Sequence, residues 1–178
     1  MYPTVNLEDR AVARRKSLGS ALQAIVIMGG GAVVMAVLAI WLMTQDGGSN
    51  VAWPVLLAAL VNAGWLVWAV LLRRRLQASW QRAEVGSATR TEHATVLPWV
   101  SRKNGPRQRA AQMADGTLVA LFFVDDAAAE RLGDGEITVY FFGTGTRRTA
   151  GPASVRTASG DVLWLVTAFV GAERSSYR

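Results

Sequence analysis

Histidine and cysteine, the residues most used for acid–base and soft-ligand chemistry, are nearly absent from this 178-residue sequence. There is one histidine, His93, and no cysteine. Structural zinc needs several nitrogen or sulfur ligands and bis-histidine haem ligation needs two imidazoles, so neither can be assembled within the chain. No disulfide can form, which accords with a cytoplasmic setting. Asp125, Asp126, Asp134 and Glu136 supply hard oxygen donors, but their spacing fits no calcium loop, and helix capping with solvation accounts for them. Residues 143–151, Gly-Thr-Gly-Thr-Arg-Arg-Thr-Ala-Gly, share glycine and positive charge with a phosphate-cradling loop. They lack its Gly-Lys-Ser/Thr ending and its following helix, since Pro152 and a strand come next, so they read as a surface loop. No nucleophile stands beside a base, and no carboxylates are paired at suggestive positions. The chain therefore reads as non-enzymatic, with no catalytic, cofactor or metal residues.

The elements around these residues are dominated by two apolar segments, residues 21–43 and 51–72, joined by Thr44-Gln45-Asp46-Gly47-Gly48-Ser49-Asn50. At ~1.5 Å per residue the first reaches roughly 35 Å, enough to cross a ~30 Å hydrocarbon core with some tilt. Each segment holds one strongly polar side chain, Gln23 or Asn62, and neither has the polar face expected of a helix in a soluble core. A cleaved signal peptide fits poorly, because the first run is too long and a second follows it. The pair is expected to form a transmembrane hairpin. Pro54 is expected in the first turn of the second helix, where its missing N–H is not needed.

Charge sets the expected orientation. Arg10, Arg14, Arg15 and Lys16 precede the first span and Arg73, Arg74 and Arg75 follow the second, while the turn carries only Asp46. The positive-inside rule then puts both termini in the cytoplasm of a plasma-membrane, multi-pass protein. Arg14, Arg15, Lys16, Arg73, Arg74 and Arg75 are candidate contacts to anionic phospholipid headgroups, at about 1 kcal/mol per cation near the surface. Trp41 and Trp53 flank the outer turn, where indole rings favour the interface.

Within the spans, Gly29, Ala32, Ala36 and Ala39 recur at intervals of three and four, a stripe that admits a second helix closely. Ala59, Asn62 and Ala63 share a face of the second helix. In an antiparallel hairpin Asn62 lies opposite the region of Ala32 to Ala36, where its amide could bond a carbonyl across the pair. Trp65 and Trp68 lie toward the cytoplasmic half, and Trp65 is deeper than an aromatic belt requires, so both are candidate partner contacts.

Residues 1–20 read as a basic tail lying partly on the membrane surface. Residues 73–94 read as an amphipathic extension, with Leu76, Trp80 and Ala83 on one side and a stop at Gly86, followed by a polar linker. Residues 95–178 read as a small cytoplasmic β-rich domain, a barrel or a curled sheet. Its expected strands are residues 117–124, 137–142, 153–157 and 162–169. A short helix capped by Asp126 and stopped at Gly133 is expected between the first two. Asn104-Gly105-Pro106 marks a turn within a basic loop.

The net charge of +6 and a sequence pI near 10.7 could point to nucleic acid. The cations instead flank the apolar segments and are not interleaved with stacking aromatics, so phospholipid headgroups are the simpler counter-ions. No small-molecule substrate is implied. In architecture, the basic tail, the Ala-, Gly- and Trp-rich hairpin, Arg73-Arg74-Arg75 and the compact terminal domain resemble small two-span actinobacterial membrane proteins. Among these are accessory subunits of the cytochrome bcc-aa3 respiratory supercomplex. That resemblance implies a non-catalytic, cofactor-free subunit that binds other integral membrane subunits and contributes to assembly or stability. The competing expectation is a stand-alone anchored module whose barrel binds a protein or lipid headgroups, a layout comparable to NfeD-like proteins and bacterial PH-like domains.

Overall fold

A computed structural model describes residues 7–45, 49–98, 109–143 and 151–171 of the chain. Two long helices, α1 (Leu7–Met43) and α2 (Ser49–Val85), are followed by strands β1 (Arg90–Val96), β2 (Arg109–Met113) and β3 (Leu118–Phe123). A short helix α3 (Asp126–Arg131) then leads to β4 (Gly135–Phe141), β5 (Gly151–Thr157) and β6 (Val162–Val170). The chain divides into two compact units, residues 18–75 and residues 1–17 with 76–178.

The first of these units is a helical hairpin. Its helices run antiparallel, since Gly29 lies against Leu66 while Met35, further along α1, meets Asn62. The buried side chains between them are small: Ala21 and Ala39 on α1, Ala52, Ala59 and Ala69 on α2. Pro54 sits inside α2 because the helix begins earlier than expected, at Ser49. The missing N–H therefore falls in the second turn, within reach of the helix end, where an unpaired carbonyl is least costly.

The second unit is a closed antiparallel barrel in the order β1-β2-β3-β6-β5-β4, with β4 returning to pair β1 from Arg90↔Phe141 to Val96↔Gly135. Alternation fills its interior: Ile137, Val139 and Phe141 point inward from β4, Ala153 and Val155 from β5, Leu163 and Leu165 from β6. Closure leaves no free sheet edge. One end holds Leu132 in the core cluster and the buried Arg109, which donates to the Gly133 carbonyl and to Asp134 Oδ1 at 2.6 Å. Gly133, at φ 65°, ends α3 in the left-handed region that favours glycine.

Four local expectations change. The tail is helical from Leu7, because Ala13, Ser17 and Ala21 recur every four residues and bury one face. The linker contains β1: its polar alternation, with Thr91, His93 and Thr95 outward, hides only Ala94 and Val96, too few to announce a strand. β2 was not anticipated either, since Arg-Ala-Ala-Gln-Met carries no β-branched residue. The cap of α3 is Asp125, not Asp126; its carboxylate accepts from the Ala128 N–H at 2.7 Å. The turn at 104–106 and most of the glycine-rich loop lie outside the described residues.

Candidate interaction site

The hairpin seam follows a regular rule. On α2 the positions Ala52, Val55, Ala59, Asn62, Leu66, Ala69 and Arg73 alternate intervals of three and four, and none is exposed. Ala21, Ile25, Met28, Ala32, Met35, Ala39 and Leu42 do the same on α1. A 3.5-residue repeat keeps one stripe facing its partner along the whole contact, the pattern of a left-handed helix pair. Alanine at so many seam positions lets the helices approach closely.

Of the small residues expected to pack, Ala39 and Ala59 are buried, and Gly29, Ala32, Ala36 and Ala63 are half-buried. A Cβ on Gly29 would stand 3.6 Å from Leu66 Cδ1, an ordinary contact. Asn62 faces α1, with Nδ2 3.5 Å from Met35 Sδ. Its carbonyl partner belongs to its own helix, though: the amide donates to the Ala58 carbonyl at 3.0 Å. A neutral amide in the seam is most cheaply satisfied one turn back, without constraining the partner helix.

The remaining surface of the hairpin is apolar. Val26, Ile27, Val33, Val34, Val37, Ile40, Leu57, Leu60, Val61 and Val67 are all exposed. Trp65 and Trp68 are 52% and 55% exposed and stack edge-on at 5.5 Å, turned away from the seam. Gly30 and Gly64 open onto space where an added Cβ would meet nothing within 4 Å.

The candidate headgroup cations separate into groups. Arg14 pairs with Glu84, and Lys16 donates to the Val124 carbonyl at the end of β3, so both are engaged within the barrel unit. Arg15, Arg74 and Arg75 are exposed. Arg73 occupies a seam position, half-buried, with its Nε lacking a hydrogen-bond partner among the described residues.

Within the barrel unit, the last turns of α2 dock on the outside of β5 and β6. Trp80 is wholly buried and its ring lies 5.9 Å from that of Trp164, which in turn stacks on Phe142 at 5.5 Å. Arg82 fixes the end of the contact, donating from Nε to the Phe142 carbonyl at 3.2 Å. Outward-facing residues that a free barrel would expose are consequently hidden, among them Ser154, paired in register with Trp164. From α1, the Arg10 guanidinium lies 6.0 Å from the Trp164 ring centroid. The apolar side of the extension, with Trp80 on it, thus meets the barrel wall. A signal for its true role was present: Val-Leu-Trp-Leu-Val in β6 is apolar on both faces, which means both faces are covered.

His93, Asp125 and Asp134 have structural partners. His93 Nδ1 lies 3.3 Å from Thr138 Oγ1 across the β1–β4 pair. Asp125 caps α3 and Asp134 takes the Arg109 charge. No group of three or more potential metal ligands occurs among the described residues. Compared with known proteins, the chain matches no family model, no curated protein and no solved structure.

Proposed function

We propose that the hairpin spans a membrane and that the protein is a non-catalytic accessory subunit of a larger membrane complex. The observation that carries this reading is the hairpin surface. Only 6% and 11% of the most apolar stretches of α1 and α2 are buried, where a core helix of a soluble fold is mostly buried, and this supports a membrane setting. A bilayer tolerates large apolar side chains on the outside of a helix pair, and water does not. Each 37-residue helix is about 55 Å long against a ~30 Å hydrocarbon core, and the surplus turns carry the charged residues. Those cations favour a cytoplasmic side for both ends.

The accessory role is preferred to a stand-alone module because the pairing of α1 with α2 leaves features unused. Trp65, Trp68, Gly30 and Gly64 all face outward, and an aromatic pair beside open glycine notches suits a further helix. Other integral membrane subunits are thus the expected partners, with anionic phospholipids at Arg15 and Arg74. The bcc-aa3 respiratory supercomplex is the candidate complex, on architectural resemblance alone.

The test is mild-detergent affinity purification of the tagged chain from its native membrane, with an optical spectrum and subunit identification. Stoichiometric haem absorption with oxidase subunits is the expected result. Membrane subunits without haem would move the role to another complex, and a colourless monomer or homodimer would sink it. Gly64→Leu, which fills an outward notch, is expected to weaken co-purification by overpacking a close helix contact; an unchanged yield of partners would count against that.

A further inference from the structure

The barrel unit contains a cavity that its own packing leaves unfilled. It measures about 180 Å³ and lies between the ends of the long helices and the outer face of β4 to β6. Tyr140, Phe142, Val162 and Trp164 wall it on the barrel side, and Val85 on the helix side. An enclosed apolar cavity of about 150 Å³ takes a benzene ring, and this hollow, partly open to solvent, has room for one ring or roughly six carbons of a chain.

Its charged residues make it more than a packing gap. Arg10 and Glu84 both line it, but Glu84 is already paired with Arg14. Among the described residues no carboxylate pairs with Arg10, whose contact is the Trp164 ring. Among the described residues, Arg10 is the cavity-lining cation with no carboxylate partner. Val85, 83% exposed, adds a large apolar side chain left in water there. An apolar end that fills the hollow and an anion that meets Arg10 would answer both features at once.

We propose that this cavity binds a small anionic amphiphile: a single ring or short acyl chain carrying a carboxylate, its apolar end against Trp164 and its anion on Arg10. The site lies wholly within the barrel unit and goes beyond the accessory role.

The test uses the full chain, ¹⁵N-labelled at tryptophan, in phosphatidylcholine nanodiscs, titrated with hexanoate and separately with hexanol. Hexanoate should move the Trp164 indole N–H signal saturably. Arg10→Gln should weaken hexanoate binding roughly tenfold, as expected for losing one hydrogen bond to a charged group, and leave hexanol unchanged. Val162→Phe, which fills the hollow, should abolish the shift, with an unmoved Trp80 signal reporting an intact fold. A Trp164 signal that ignores hexanoate overturns the proposal, and so does equal hexanoate binding by the Arg10→Gln protein. Parallel, non-saturating movement of all the tryptophan signals would mean partition into the bilayer only, and would overturn it as well.

Discussion

The two units of this protein solve the packing problem in opposite senses. The barrel hides its bulky side chains, with Leu121, Leu165, Val139 and Val155 wholly inaccessible, and turns Thr91, His93 and Thr95 outward. The hairpin hides alanine and sends valine, isoleucine, leucine and tryptophan outward. In the barrel, burial of apolar area supplies the stability, at about 25 cal/mol per Å². In the hairpin little such area is withdrawn by pairing, and close approach along an alanine seam must do more of the holding. The contrast teaches that mean apolar content says less about a segment than which sizes of side chain it turns inward.

Substitutions can break that contrast. The largest effect is expected at Trp80. Trp80→Ala empties a fully buried site against Trp164 and should destabilise the barrel unit by about 3–5 kcal/mol, measurable as faster hydrogen exchange in β5 and β6. Trp65→Ala, at a half-exposed ring, should leave exchange in the hairpin nearly unchanged. Next comes a leucine pair: Leu121→Ala in the barrel should cost about 2–5 kcal/mol, and Leu57→Ala on the hairpin surface within about 0.5 kcal/mol. Comparable losses at the two leucines in denaturant titrations would erase the distinction between the units.

Smaller effects sharpen it. Ala59→Leu inserts bulk where the hairpin tolerates only a methyl, and should cost about 1–3 kcal/mol by steric-trapping or thermal assays. A neutral result would mean the seam is looser than its burial implies. Asn62→Leu removes the amide bonded to Ala58 and touching Met35. Its expected cost is smallest, at most about 1–2 kcal/mol, because the main hydrogen bond lies within one helix and the partner loses only a sulfur contact. A larger loss would show that Asn62 holds the two helices in register.

Local sequence accounts for the two long apolar helices, the stop of α2 at Gly86, whose φ is 76°, and most strands of the terminal domain. These follow from local causes: the length of an apolar run, the backbone freedom of glycine, and alternation along residues 137–141. Barrel closure was decided only in three dimensions. β1 and β2 are too polar or too short to declare themselves, and they become strands because β4 and β3 offer them unpaired backbone. The tail became helix for a similar reason, since Ala13 and Ser17 are worth burying only once something lies over them. Trp80 shows the limit most clearly. Its spacing placed it on the inner stripe of an amphipathic helix, but whether that stripe meets headgroups or a barrel wall depends on Trp164, more than eighty residues later in the chain. Periodicity names the face of a helix, and only tertiary packing supplies the surface that covers it.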